Sequence, residues 1–534
     1  MSLESFLSIK IIPDFVPTAI EDRIKLYLQR YHSTKERKST LPLFITGNWG
    51  VGKSTSSAYT AAQHINNENI LVLFCNEDTT IETFDALIKR QYGKMIKIRA
   101  KVDTMNWLDK PHYTTVLNLV TTGTLNERIS SFMGLSNLMP MVIIVDNWDL
   151  LPSRHPLYYI SNPTNQKHPL FIVSGCGSWD PKPKEDKIGS PTYDDAGRWV
   201  EVRKANITNL DHIFINIKPL KLYDIPTIRN YFKNCIWNNK ELFSMTLGVS
   251  RFIGIAVKCT TVEEYSKSID KLCTESILRF LHRALYNKQN DCILSLVTSF
   301  NNRTIKNDYN YQIAGILDKQ NNYIHPLYEK SLIFVFHQNE TLDLLYKAID
   351  QLNLHSNDFF MDAIFKLTCL NEFENNKRIE IRGKQQRKDN KKKSISEVLT
   401  WDKILILQDI NELNSIQNHP NTLIQCCPNF PLFDFVYYNS KVLYGFQSSI
   451  KRYSHNRNGT NYHNISNEKF KILNNQTVFE YFNILDINEF KFVYISPKQL
   501  QLPNNSPNQF FIPVKKWYTG HRIAQFYSWY SSIN

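Results

Sequence analysis

The sequence predicts a multidomain α/β protein, and three observations carry that expectation. An apolar strand, a glycine-bearing loop and a helix start follow one another in LPLFITGNWGVGKSTSSA, Leu41 to Ala58. Further short apolar runs that end in polar or acidic residues recur downstream, separated by helical stretches, as a parallel sheet requires. A separate group of strand-like runs lies between Leu432 and Ile495. A chain of 534 residues has room for roughly three or four domains.

The first of these stretches has the full G-x-x-x-x-G-K-S spacing directly after Leu43, Phe44 and Ile45. Gly47, Gly50 and Gly52 allow the backbone to wrap a polyphosphate, with successive N–H groups and the helix's positive end facing its oxygens. Lys53 reaches the outer phosphates, and Ser54 supplies a hydroxyl for Mg²⁺. Thr55 completes the set. The stretch is a phosphate-binding loop, and the expected cofactors are ATP and Mg²⁺.

Composition sets the class. With 42% hydrophobic and 13% aromatic residues the chain is globular, and its formal charge of +13 favours a polyanionic partner, DNA first. Nine cysteines without a C-x-x-C pair indicate neither a zinc ribbon nor a disulfide framework. The opening MSLESFLSIKIIPDFVP lacks the basic and long apolar regions of a secretion signal, and no later run reaches membrane-spanning length. A protein with reduced thiols and no membrane partner is expected.

Taken in order, Ile20 to His32 has apolar residues at helical spacing and Ser33 to Thr40 is a polar loop. Ile70 to Cys75 is an apolar strand. Met141 to Asp149, MVIIVDNWD, is a second one that ends in acid, so Asp146 is the expected metal-orienting carboxylate. Many P-loop ATPases place a further acid directly after that aspartate to polarise water. This chain has Asn147 there and offers Asp149 two positions later, so slow hydrolysis is expected. Leu170 to Val173 is another strand, and Ser174 at its end is a candidate γ-phosphate sensor or simply a strand-end cap. His212 to Leu220 is a strand followed by helices from Tyr223. This strand, proline and helical lid resemble the end of the core in AAA-like and STAND ATPases. Gly248 to Phe252, GVSRF, is similar to their lid motif, which nominates Arg251 as an arginine near the nucleotide.

Ser276 to Leu296 and Glu340 to Leu352 read as helices, and Gln312 to Phe336 as a hairpin around DKQNN. Helices followed by a hairpin suggest a winged-helix-like module, either DNA-touching or a spacer. Asn371 to Lys393 is polar and strongly basic, which reads as a solvated linker, a nuclear import signal or a phosphate-binding arm. Beyond it the expected order is a helix (Ile395 to Leu413), a strand hairpin turning at Asn439 and Ser440, a helix (Asn467 to Leu473) and a strand (Phe490 to Ile495). Alternation assigns Leu443, Gly445, Gln447, Ser449 and Lys451 to a polar face of the second hairpin strand, and Tyr444, Phe446 and Ile450 to a packed one.

That order resembles the restriction-endonuclease-like core, in which an aspartate on one strand and a Glu/Gln-x-Lys triplet on the next hold Mg²⁺ and activate water. The matching positions are Asp434 and Gln447. Ser449 stands where the lysine belongs, Lys451 is the expected substitute, and Glu397 or Glu412 completes the metal shell. The whole chain from about Leu41 resembles the Crinkler effectors and retrotransposon-hot-spot proteins, through the phosphate loop, the lid and the ending carried by Pro428, Pro431, Asp434, Phe446, Gln447, Ser449 and His455. The LFLAK-type header of the oomycete Crinklers is absent. The resemblance implies a nucleus-directed, DNA-targeting protein, with secretion to a host inferred through kinship alone and nuclear import machinery as a partner. The expected layout is an extension over 1–40, a P-loop NTPase core over 41–222, a lid and winged-helix-like region over 223–370, a basic linker over 371–394 and the nuclease-like domain over 395–534. The reading is an ATP-dependent DNA-cleaving protein. Its rivals are a cleavage-inactive binder and a STAND-type signalling NTPase that forms nucleotide-dependent homo-oligomers.

Overall fold

In the computed structural model, the described residues are chiefly 43–147, 170–175, 214–386, 392–407, 420–426, 433–448, 489–495 and 509–512, with a few single positions inside these ranges excepted; parts of 24–29 and residue 526 are also described. The chain divides into two compact units: Met1–Lys271 with Gly315–Tyr328, and Leu272–Ala314 with Glu329–Asn534.

The first unit is built on a five-stranded sheet of β1 (Leu43–Gly47), β2 (Leu71–Cys75), β3 (Met141–Val145), β4 (Leu170–Ser174) and β5 (Phe214–Ile217). Its order is β2-β3-β4-β1-β5, and every pairing is parallel. Strands β2 and β3 are buried along their whole length, which is why they read as unbroken apolar runs instead of alternating ones. Alternate residues serve opposite faces. Leu71, Leu73, Met141 and Ile143 pack with α2 (Ile81–Arg90), α3 (Tyr92–Asp103), α4 (Lys110–Thr122) and α5 (Leu125–Gly134). Val72, Phe74, Val142 and Ile144 pack with Leu43, Ile45 and Ala58, the last on α1 (Lys53–Ile65), and with Ile24 and Leu28.

Helices α6 (Ile225–Tyr231), α7 (Asn239–Thr246) and α8 (Ser250–Ala256) follow β5, as expected beyond Tyr223. The long α9 (Val262–Tyr286), then α10 (Asn290–Asn301) and α13 (Asn339–Leu352), occupy the stretches read as helical. The expected hairpin over Gln312 to Phe336 is present only at its turn, where the Asp318 N–H donates to Asn322 O at 2.8 Å and the Ile324 N–H to Ile316 O at 3.0 Å, and helices take up the ends of the range. A single bridge, Leu317↔Tyr323, closes the polar turn between α11 (Tyr309–Ile313) and α12 (Tyr328–His337). The run YEKSLIFVFH buries Leu332, Ile333, Val335 and Phe336, a helical stripe and not the period-2 pattern of a strand.

In the second unit, α14 (Asp358–Asn376) lies against an eight-stranded mixed sheet. Its strands are β6 (Arg378–Gln386), β7 (Lys392–Thr400), β8 (Lys403–Ile406), β9 (Thr422–Gln425), β10 (Phe435–Asn439), β11 (Val442–Ser448), β12 (Glu489–Ile495) and β13 (Gln509–Phe511). Two expectations are corrected here. The basic stretch is not a linker over its described residues: Asn371 to Asn376 ends α14, and β6 pairs antiparallel with β7 from Arg378↔Thr400 to Gln386↔Lys392. The helix expected from Ile395 is instead β7 and β8, because exposure alternates from Ser394 to Thr400 with the period of a strand. Strands β7 and β8 stand at opposite ends of the sheet order yet are joined by Trp401 and Asp402 alone. Strands about 4.8 Å apart would put the ends of a flat eight-stranded sheet more than 30 Å apart, so this sheet curls back on itself. The Tyr437 hydroxyl on β10 donates to the Thr400 carbonyl at 2.8 Å and ties the curl.

The β10–β11 hairpin and the parallel β12 fall where the sequence places them. The division of β11 into one polar and one packed face does not hold, since Leu443 and Gly445 are buried along with Tyr444 and Phe446.

Candidate functional sites

Between β1 and α1 the three loop glycines all adopt positive φ, at 141°, 79° and 104° for Gly47, Gly50 and Gly52, a region that side-chain-bearing residues rarely enter. At Gly47 a Cβ would stand 2.3 Å from the Ile217 carbonyl oxygen, so glycine is required there twice over. Lys53 is buried, and its ammonium donates to the carbonyls of Gly47 and Asn48, both at 2.8 Å. It is folded onto the loop that it would serve. Thr55 is exposed on the first turn of α1.

Asp146 follows β3 directly and is only 5% exposed. It accepts hydrogen bonds from Ser174 at the end of β4 and from Ser54 at the start of α1. Burial pushes its carboxyl above the ordinary aspartate value, while the bonds from Ser174 and Ser54 and the charge of Lys53 act in the opposite sense. Asn147 adopts φ 50°, a left-handed conformation that asparagine tolerates better than most residues. That turn is a backbone reason for asparagine where a second acid is often found. Asp149 lies outside the described residues. A hydroxyl and a carboxylate in hydrogen-bond contact form an oxygen donor pair, which fits Mg²⁺.

The lid motif also reaches this loop. Gly248, at φ 73°, has no room for a Cβ against the Leu220 carbonyl, which fixes the turn before α8. From there the Arg251 N–H donates to Gly50 O at 2.8 Å and the Ser250 hydroxyl to Val51 O at 3.2 Å. The Arg251 side chain is exposed and runs beside Gly50. Trp49 makes a contact that no local pattern announces: a Cβ on Gly315 would stand 2.8 Å from its indole.

In the second unit Asp434 immediately precedes β10, and its N–H donates to Phe446 O at 2.8 Å. Its Oδ2 accepts from the Ser448 N–H at 2.7 Å and the Ser448 hydroxyl at 3.0 Å, and its Oδ1 lies 3.3 Å from the Lys366 ammonium. The expected partner Gln447 is half-buried and, by strand alternation, on the other face of β11 from Ser448. The structure thus seats Asp434 with Ser448. Glu397 is on β7, bound to Lys491 at 2.6 Å and to the Tyr444 hydroxyl at 3.0 Å, away from the helix where it was expected. Glu412, Ser449, Lys451 and His455, together with the expected helix Asn467 to Leu473, lie outside the described residues. Among the described residues no three His, Cys, Asp or Glu side chains are grouped to hold a metal ion, and no helix is long and apolar enough to cross a membrane.

No family model matches the chain, and no curated protein matches it. Among solved structures, it is similar to a signal transduction ATPase with numerous domains, a STAND protein with a tetratricopeptide repeat sensor, from Pyrococcus horikoshii. The identity is 14% and the TM-score 0.23 over 67% of this chain, a likeness too distant to carry an argument. The chain spans about half, 48%, of that protein's length.

Proposed function

We propose that the first unit binds ATP with Mg²⁺ and hydrolyses it slowly. The observation that supports this most directly is the convergence of Lys53, Ser54, Asp146 and Ser174 at the carboxyl ends of β1, β3 and β4, where an open parallel sheet binds its ligands. The loop's N–H groups and Lys53 would hold the phosphates, and Ser54 and Asp146 would hold the metal. When bound, Mg²⁺ neutralises the charge that gathers on the phosphates. Ser174 keeps the Asp146 carboxylate turned toward Ser54. Arg251, whose side chain runs beside Gly50, would meet a phosphate, and the absence of an acid at Asn147 would make turnover slow. Titration calorimetry with ATP and Mg²⁺ on the full chain and on Lys53→Ala tests the reading; equal heats from both would sink it.

A second activity is proposed for the other unit, that Asp434 serves metal-dependent cleavage of DNA. The observation favouring it is a part-exposed carboxylate with both oxygens held by neighbours, beside an ammonium group. The region from Asn371 to Asn534 carries 21 Lys+Arg against 13 Asp+Glu, an excess of 8 that suits a polyanion. Action in the nucleus belongs to the same proposal; nucleotide-dependent self-association as a STAND-type signalling NTPase is its rival. Supercoiled plasmid incubated with Mg²⁺ and ATP should be nicked by the wild type and left intact by Asp434→Ala, while ATP binding is unchanged. Light scattering with ADP and with ATP distinguishes the signalling alternative.

A further inference from the structure

The basic stretch behind α14 is used by neither activity proposed above. From Arg378 to Thr400 it carries eight Lys and Arg against three Asp and Glu, and the fold lays its described residues out as β6 paired with β7. Residues opposite each other on paired strands share a face, so Arg378, Arg382 and the positions of Lys384 and Lys392 fall on one side of the pair. Thr400, Ser396 and Ser394 stand opposite the first three and are exposed, as Arg378 is. The other side is packed: Ile379, Ile381 and Leu399 are buried.

Acids offset little of this charge. Glu397 belongs to the packed side, bound to Lys491 at 2.6 Å and to the Tyr444 hydroxyl at 3.0 Å. Glu380 is on the outer side, where it accepts from Arg382 Nε at 3.0 Å and from the Ser396 hydroxyl at 2.7 Å, and so balances Arg382 alone. Among the described residues β13 pairs with β6 only at Arg382 and Gly383. The pairs from Lys384↔Ser394 to Gln386↔Lys392 therefore extend past it as a two-stranded ribbon.

The chemistry of the outer face selects its partner. Cations interleaved with hydroxyls suit phosphate oxygens. The outward positions of the two strands include no aromatic residue and a single apolar one, Val398, whereas single strands are held by stacking on rings and a bilayer by an apolar face. The major groove of B-DNA, about 12 Å wide, admits a two-stranded ribbon, and the narrow groove of A-form RNA shuts it out. We propose that this face of β6 and β7 docks on duplex DNA, with Arg378, Lys384 and Lys392 supplying phosphate contacts. The proposal rests on the reading given above that this unit acts on DNA. A charged sheet edge that only deters strand pairing would leave DNA affinity untouched when its charges are removed.

The test uses the full chain and a labelled DNA duplex, with binding read by fluorescence anisotropy at several salt concentrations and plasmid nicking read separately. Arg378→Gln, Lys384→Gln and Lys392→Gln combined, checked by thermal unfolding, should lower the slope of log affinity against log salt by about 3. The same variant should bind on the order of a hundredfold more weakly at about 0.1 M salt. Lys330→Gln with Lys347→Gln, which removes exposed charges from α12 and α13, should leave the slope at its wild-type value. Wild-type slope and affinity in the triple variant, or an equal loss in the α12 and α13 control, overturns the proposal and leaves the cleavage reading standing. Tighter binding of the single strand than of the duplex, or equal binding to phosphatidylserine vesicles, overturns it as well. A wild type that binds the duplex through this face but never nicks overturns the cleavage reading and keeps the docking face. No duplex binding at low salt overturns both. Should the triple variant fail to fold, each single change carries the comparison, with a slope lower by about 1.

Discussion

Ser174 donates its hydroxyl hydrogen to Asp146 Oδ1 across neighbouring parallel strands, at a point where both residues are buried. The bond holds a carboxylate that burial has pushed toward its neutral form. A carboxyl whose pKa is raised by folding binds its proton more tightly folded than unfolded, so above the ordinary value of 3.8 its charge opposes folding. Asp146→Asn should therefore raise the Tm of the nucleotide-free protein at pH 7, by about 2–4 °C. The same change should abolish the further rise that Mg²⁺ and ATP give the wild type. Differential scanning calorimetry reads both, and a fall in the nucleotide-free Tm would contradict the assignment.

Lys53 spans the loop by bonding two successive carbonyls. Its loss removes a charge-assisted phosphate contact and the brace that holds Asn48. ATP affinity of Lys53→Ala should fall on the order of a hundredfold, with circular dichroism unchanged. Affinity within a few-fold of wild type would mean that the phosphates sit elsewhere.

Two glycines make opposite forecasts. Gly315 has φ 78° and no space against Trp49, so Gly315→Ala should destabilise the protein by about 1–3 kcal/mol. Gly93 lies in α3 with nothing within 4 Å of its missing Cβ, and Gly93→Ala should stabilise by about 0.5–1 kcal/mol. Urea unfolding of the two variants in parallel measures the difference. Effects of the same sign would refute the placement of Trp49 on Gly315.

Lys94 is buried on α3, donates to the Ile70 carbonyl, and has its ammonium lowered by burial from 10.5 to about 8. Between those values the unfolded chain holds a proton that the folded chain has released, so stability from this group rises with pH across that window and is lost as pH falls through 8. Lys94→Met should flatten the rise between pH 8 and 10 and increase stability at pH 7. A pH series of unfolding midpoints that is identical for wild type and variant would show that the ammonium is better solvated than its burial implies.

The proposed nucleotide site is legible because its parts are local. A run of glycines, a lysine and a serine within eight residues, and a buried strand ending at Asp146, each mark themselves by type and spacing. What the strand pattern around Asp434 concealed was its partners. Ser448 is reached only because the chain bends at Asp434, and Lys366 lies on a helix whose pattern records packing with Phe373 and nothing of its charge. The stretch from Arg378 to Thr400 hides its strands for a physical reason as well. Its described lysines and arginines belong to two paired strands, the outer of which, β7, stands at the end of the sheet order, where charged side chains deter pairing with other chains. Composition alone does not separate such a strand from a solvated linker. Glu397, whose lysine partner is 94 positions away, shows the same limit, since a long-range ion pair leaves no mark in a local window.

The segment Gly315–Tyr328 belongs to the unit of the phosphate loop, although the residues on either side of it belong to the other. The body that carries this loop is thus discontinuous in the chain, and no single cut can release it whole. A fragment ending at Lys271 would keep Lys53, Ser54, Asp146 and Ser174 yet lack the surface on which Trp49 rests. It would expose an indole beside Asn48, whose carbonyl holds Lys53. Attempts to dissect the protein should carry the two segments together, joined by a short linker, or a damaged fragment will be mistaken for a body that binds nothing.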